Sequence, residues 1–262
     1  MQEKYDTLGR GYNNTRRADP YLLERLHYLL QVRPGGRYLD VGAGTGNYTI
    51  GLSQRGLQMI GVDPSDRMLS VARGRSEAVD WRKGHVEALP LPDNSVDGIV
   101  ATLTLHHWND LTRGFKELRR VLHPEGRFVL FGFTPEQMSG YWLNHYFPQM
   151  FKDAIQETIP LAEIEESMHK AGLRIVAQEK YFVQPDLQDL FLYSGKYDPQ
   201  RYFDPKIRQG ISFFSGATQT EEVEPGLARM RADMDSGEIE EIMKQYENEE
   251  GDYLFLVAQE EP

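Results

Sequence analysis

Cysteine is absent from the 262 residues, which excludes disulfides, thiolate nucleophiles and cysteine-ligated metals. No apolar run approaches the roughly 20 residues of a membrane span. The opening "MQEKYDTLGR" has no apolar secretion core, so cytoplasmic residence with no membrane partner is expected. Positive charge is scarce: 29 Lys and Arg stand against 40 Asp and Glu, a net charge of −11. That balance argues against a nucleic-acid partner, because a phosphate backbone is held by clustered Lys and Arg. The deficit is local, with 12 acidic and 3 basic side chains over residues 218–252. A solvated acidic surface explains it.

Strands and helices alternate through the first half. Asp19-Pro20 opens a helix that puts Leu22, Leu26, Leu29 and Leu30 on one face, and Pro34-Gly35-Gly36 ends it. Arg37 to Val41 reads as a first strand, Asn47 to Gln54 as a helix, and Leu57 to Val62 as a second strand running into Asp63. A helix capped near Ser65 follows, then strands over Val79–Arg82 and Ser95–Thr102. A helix over Thr112–Val121 leads through the turn His123-Pro124-Glu125-Gly126 into a fifth strand, "GRFVLFGF". This spacing predicts an α/β, doubly wound parallel sheet.

Beyond Phe133 the pattern loosens. "SGYWLNHYFPQMFKDAIQ" reads as helical and aromatic, Leu161–Ala171 as an amphipathic helix closed by Gly172, and "LRIVAQEKYFV" as a sixth strand. A last strand, "DYLFLVAQ", comes only after the stretch Gln184–Gly251, too long for a structureless loop. The expected organisation is an N-terminal lid and first helix (1–36), a core (37–183 and 252–262) and an inserted helical cap (184–251).

The densest chemical signal is "YLDVGAGTGN", Tyr38 to Asn47. A glycine-rich turn between a strand and a helix lets backbone N–H groups approach a ligand that Cβ atoms would hold away. Asp63, at the tip of the second strand, can accept hydrogen bonds from both hydroxyls of a ribose. An adenosine-containing cofactor follows. The dinucleotide fingerprint is G-x-G-x-x-G, whereas Gly42, Gly44 and Gly46 form G-x-G-x-G, which speaks against an NAD(P)-dependent oxidoreductase.

With "GVDPSDRML", "LPLPDNSVDGIVAT", "LHHWND" and "VLHPEGRFVL" in order, the chain resembles the class I S-adenosylmethionine-dependent methyltransferases, in the small-molecule group often called type 11. The resemblance implies a seven-stranded Rossmann-like sheet of order 3-2-1-4-5-7-6 with strand 7 antiparallel. It puts Gly42, Gly44 and Gly46 beneath the methionine portion of S-adenosylmethionine with Asp40 nearby, and makes Asp63 the ribose ligand. It sets His85 and Val86 at the adenine, Thr102 and Leu103 at the sulfonium, and Tyr5, Tyr12 and Arg16 in a leading helix over the cofactor, Arg16 toward the methionine carboxylate.

Methyl transfer from a sulfonium is an in-line displacement in which the protein chiefly aligns the acceptor and excludes water. A base is needed only where the acceptor must lose a proton. His106 and His107, after the fourth strand, are either that base or part of the turn, and His106 is the better candidate for lining the pocket. Adjacent histidines chelate one ion poorly, so no metal is expected. Aromatics from Tyr141 to Phe214 suggest core packing of a cap and, collectively, an aromatic-walled pocket beneath it. The expected function is transfer of a methyl group to an O, N or C atom of a small, partly apolar or aromatic molecule. A cofactor-binding sensor or partner subunit without turnover is the alternative from another class.

Overall fold

In the computed structural model, which describes residues 15–214 and 220–261, helix α1 (Pro20–Leu30) begins where Asp19 accepts the N–H groups of Tyr21 and Leu22 at 3.0 and 3.1 Å. Its leucines Leu22, Leu26, Leu29 and Leu30 are buried. Strand β1 (Arg37–Val41) leads to α2 (Asn47–Gln54), then β2 (Gln58–Asp63). Helix α3 (Asp66–Arg75) is capped by the Ser65 hydroxyl, which accepts from the Met68 N–H. Strands β3 (Asp80–Lys83) and β4 (Val96–Thr102), helix α4 (Leu111–Val121) and strand β5 (Leu122–Gly132) complete the first half.

The fifth strand is longer than its sequence suggests. Leu122 already pairs with Val96, while Arg127 pairs with Gly98, so the residues between form a bulge inside the strand. Pro124-Glu125-Gly126 carries turn chemistry, but here it bends a strand instead of joining two elements.

Further along lie α5 (Pro135–Ser139), α6 (Pro148–Glu157), α7 (Leu161–Lys170) and β6 (Leu173–Tyr181). Between β6 and the last strand the described chain runs through turns over 182–198 and then carries the helices α8 (Pro205–Gln209), α9 (Thr220–Ser236) and α10 (Glu238–Gln245). Strand β7 (Tyr253–Glu260) then pairs antiparallel with both β5 and β6. The sheet order is β3-β2-β1-β4-β5-β7-β6, as the resemblance implies.

Two apolar layers sandwich the sheet. One joins Leu39, Ile99 and Phe128 to Phe115 and Leu118 of α4. The other joins α1 and α2 to the aromatics of 141–151 and 187–213. Tyr141 and Tyr193 stack with ring centroids 3.8 Å apart, so the segments before and after β6 share one layer. Tyr141, Trp142, Tyr146, Phe147 and Phe151 are buried. Each contributes about 1.5–3 kcal/mol by leaving water, and these side chains fill a core. The two ends of the 184–251 segment meet at Asp252, whose carboxylate accepts from the Val183 N–H at 2.7 Å and from Lys196 at 2.8 Å.

Candidate active site

Strands β1, β2 and β4 end side by side, with Asp40 registered against Gly61 on one flank and Val100 on the other. The chain leaving β1 turns sharply because the N–H groups of Gly42 and Ala43 both donate to the Val62 carbonyl, at 2.9 and 3.1 Å. Gly42, Gly44 and Gly46 have φ of +74°, +56° and +83°, a region that costs other residues roughly 1–2 kcal/mol.

The three glycines face different neighbours. A Cβ at Gly42 would collide with Thr104, and one at Gly46 with the ring of Trp81 on β3. Trp81 also lies over Gly61, which clears the space for its ring, and its indole N–H donates to the Ser76 carbonyl at 2.9 Å. At Gly44 nothing lies within 4 Å of a Cβ. Gly44 alone therefore borders open space. Gly44→Ala is expected to cost only the left-handed strain, about 1–2 kcal/mol. Gly46→Ala adds overpacking of about 1–3 kcal/mol against Trp81. Urea unfolding of the two variants checks the order.

Asp63 closes the far side of this niche. One carboxylate oxygen accepts the Gly44 N–H at 2.8 Å and the other the Ser65 N–H at 2.9 Å. Burial raises its pKa, an effect opposed by those two N–H groups and by the nearby His85. Asp40 is buried at the end of β1 and accepts the Thr49 hydroxyl at 2.6 Å. Desolvation pushes its pKa up to about 7, against the Thr49 hydrogen bond and with a smaller contribution from the charge on Asp63.

At the tip of β4 the buried Thr102 hydroxyl has no hydrogen-bond partner among the described residues. The next residue, Leu103, has φ of +52°, and its N–H donates to the Phe131 carbonyl at 2.8 Å. A leucine in this region is a strained position of the kind concentrated at functional sites. His106 and His107 form a short 3-10 turn with ring centroids 3.7 Å apart. His106 lies 6.0 Å from the Phe133 ring, and both border a cavity of about 20 Å³ at the tips of β4, β5 and β7. Leucines and isoleucines supply most of its wall, not the tyrosines of the 141–214 region.

His85 is exposed in the turn after β3, while the Val86 side chain is buried in the α4 layer. Tyr5 and Tyr12 lie outside the described residues. Arg16 pairs with Asp189, Nε to Oδ1 at 2.5 Å, and its carbonyl accepts from the Asn47 side chain at 3.1 Å. Tyr48 donates its hydroxyl to the same Asp189 at 3.0 Å. Asp189, Trp81 and Thr104 have no local motif to announce them; their roles come from distant packing.

The model of the family described as "Methyltransferase domain" matches residues 39–130. A solved structure from Anabaena variabilis, provisionally described as a methyltransferase from an antibiotic biosynthesis pathway, superposes with a TM-score of 0.83 at 32% identity. The alignment covers 94% of this chain and 98% of that one.

The chain belongs to the class I S-adenosylmethionine-dependent methyltransferases.

An uncharacterized methyltransferase of Mycobacterium tuberculosis is 41% identical over 121 residues, 46% of this chain and 49% of the relative. A demethylmenaquinone methyltransferase of Deinococcus radiodurans is 36% identical over 105 residues, 38% of this chain and 44% of the relative. The chain thus spans about half the length, or less, of these curated relatives. The family's cofactor fits the residues present. Gly44 offers bare backbone, Asp63 keeps lone pairs beyond the two it uses, and Thr102 holds a buried hydroxyl without a partner. Among the described residues no group of three or more His, Asp or Glu is arranged to hold a metal ion. Nor is any helix there long and apolar enough to cross a membrane.

Proposed function

We propose that this class I methyltransferase moves a methyl group from S-adenosylmethionine to an O, N or C atom of a small, partly apolar or aromatic acceptor. The bare niche at Gly44, with Asp63 accepting at its rim, carries the reading. Bound there, the sulfonium supplies an already activated methyl group. Asp63 would accept the ribose hydroxyls and the bare backbone at Gly44 would take the amino-acid portion, with Arg16 serving its carboxylate and Asp40 nearby. His85 and the Val86 backbone would serve the adenine, and Thr102 and Leu103 the reacting end.

The acceptor enters beside His106 and Phe133, which border the apolar cavity at the tips of β4, β5 and β7. Two relatives are described by small-molecule contexts, demethylmenaquinone and an antibiotic pathway, which supports the same acceptor class. In this reading His106, whose ring packs against His107 and faces Phe133, takes up a proton leaving the acceptor.

Calorimetry with S-adenosylhomocysteine tests the cofactor assignment: binding in the micromolar range is expected, and none by folded protein contradicts it. Transfer of radiolabelled methyl across a panel of neutral aromatic and aliphatic alcohols, amines and quinols tests the acceptor class. With an acceptor in hand, His106→Ala should lower kcat by about 10²-fold or more if the ring takes the proton, with cofactor affinity unchanged. Unchanged kcat removes His106 from that role.

A further inference from the structure

Asp189 lies in the segment between β6 and α8, far in sequence from the glycine turn, yet its buried carboxylate meets the first turn of α2 that follows it. Nε and Nη2 of Arg16 donate to its two oxygens at 2.5 and 3.3 Å. Tyr48, two residues past Gly46 in the first turn of α2, donates to Oδ2 at 3.0 Å. The Arg16 backbone is held from the same turn by Asn47. Neighbouring bonds repeat the connection: the Leu190 N–H donates to the Thr15 carbonyl at 3.1 Å, and the Gln188 N–H to Asp19 at 2.9 Å.

A buried ion pair is weak evidence of stabilisation, because desolvating both charges offsets their attraction. It does impose direction. A guanidinium is a rigid planar fork, so engaging one edge with Asp189 sets where the rest of the plane points. Tyr48 ties that orientation to the helix that starts at the glycine turn.

We propose that Asp189 is a positioning residue: it holds Arg16 and the first turn of α2 in the arrangement that recognises the amino-acid tail of the cofactor. This rests on the S-adenosylmethionine reading above. It makes the segment after β6 part of cofactor recognition as well as a packing layer over the sheet.

The test compares two ligands that share the adenosyl thioether. S-adenosylhomocysteine carries the amino-acid tail, and 5′-methylthioadenosine lacks it. Asp189→Asn keeps the volume and removes the charge. Its Kd for S-adenosylhomocysteine should rise at least 10-fold, while its Kd for 5′-methylthioadenosine stays within about 2-fold of wild type. A merely structural role would weaken both ligands alike, and that result, or an unchanged Kd for S-adenosylhomocysteine, overturns the proposal. Asp189→Glu, which keeps the charge but shifts it by one methylene, should show the same selectivity and decides the matter if Asp189→Asn does not fold. If wild type binds neither ligand, the cofactor assignment itself fails and Asp189 loses its role with it. Wild-type binding with an unselective variant overturns the Asp189 role alone.

Discussion

Asp63→Ala is expected to weaken S-adenosylhomocysteine binding by about 10²-fold or more, with the protein still folded. Hydrogen bonds to a charged group contribute about 1.5–3 kcal/mol each, and the proposed ribose contacts use two. The variant also leaves the N–H groups of Gly44 and Ser65 without their carboxylate acceptor, which loosens the niche. Against that, removing a buried carboxylate whose pKa is raised by desolvation relieves an unfavourable charge, so the loss should fall on affinity far more than on stability. Asp63→Asn retains an acceptor oxygen and should lie between alanine and wild type. Titration calorimetry on the three proteins gives the order. Equal affinities in all three would remove Asp63 from the site.

A second large effect is expected at Asp40, in the opposite direction for stability. Its carboxyl titrates at about 7 in the fold, against an ordinary value of 3.8. Below the ordinary value both folded and unfolded chains hold the proton, and the residue imposes no charge penalty. As pH rises from about 4 to about 7, the unfolded chain releases the proton while the folded one keeps it, so stability falls. Above about 7 the full cost is present, about 4 kcal/mol at roughly 1.4 kcal/mol per unit.

Asp40→Asn removes that dependence while its side-chain oxygen can still accept from Thr49. The ligand-free variant should therefore be more stable than wild type at pH 8, by about 8–16 °C in Tm at roughly 2–4 °C per kcal/mol, and close to wild type at pH 4. Urea unfolding at both pH values measures the difference. A variant that is less stable at pH 8 than wild type would show that Asp40 is held ionised by something other than the groups described.

The local elements were legible in the sequence wherever one face had to be buried. Arg37–Val41 and Asn47–Gln54 form as read, because an apolar strand, a glycine turn and a helix start leave little choice. Strand order was legible only through the resemblance, since alternation by itself does not say which strands are neighbours. The β5 bulge escaped because Pro-Glu-Gly carries the same turn chemistry whether it joins two elements or kinks one.

At the site, three glycines share one letter and one backbone preference but separate causes. Thr104 and Trp81 exclude a Cβ at Gly42 and Gly46, whereas Gly44 borders open space and is held to glycine by its φ alone; only tertiary packing tells them apart. The aromatic-rich segments were visible as a group, but composition does not distinguish a pocket wall from a filled layer. The Tyr141–Tyr193 stack belongs to the layer. Asp189 was invisible for a different reason: 173 residues separate it from Arg16, and no periodicity links a lone aspartate to a partner at that range.

The central claim is that the backbone at Gly44 and the Asp63 carboxylate together hold the cofactor. A crystal structure of the protein with S-adenosylhomocysteine tests it most directly. The account predicts the homocysteine portion lying against Gly44 and both ribose hydroxyls within hydrogen-bond distance of Asp63. Density for the nucleoside elsewhere on the protein, with the Gly44 niche vacant or closed by a side chain, would contradict it.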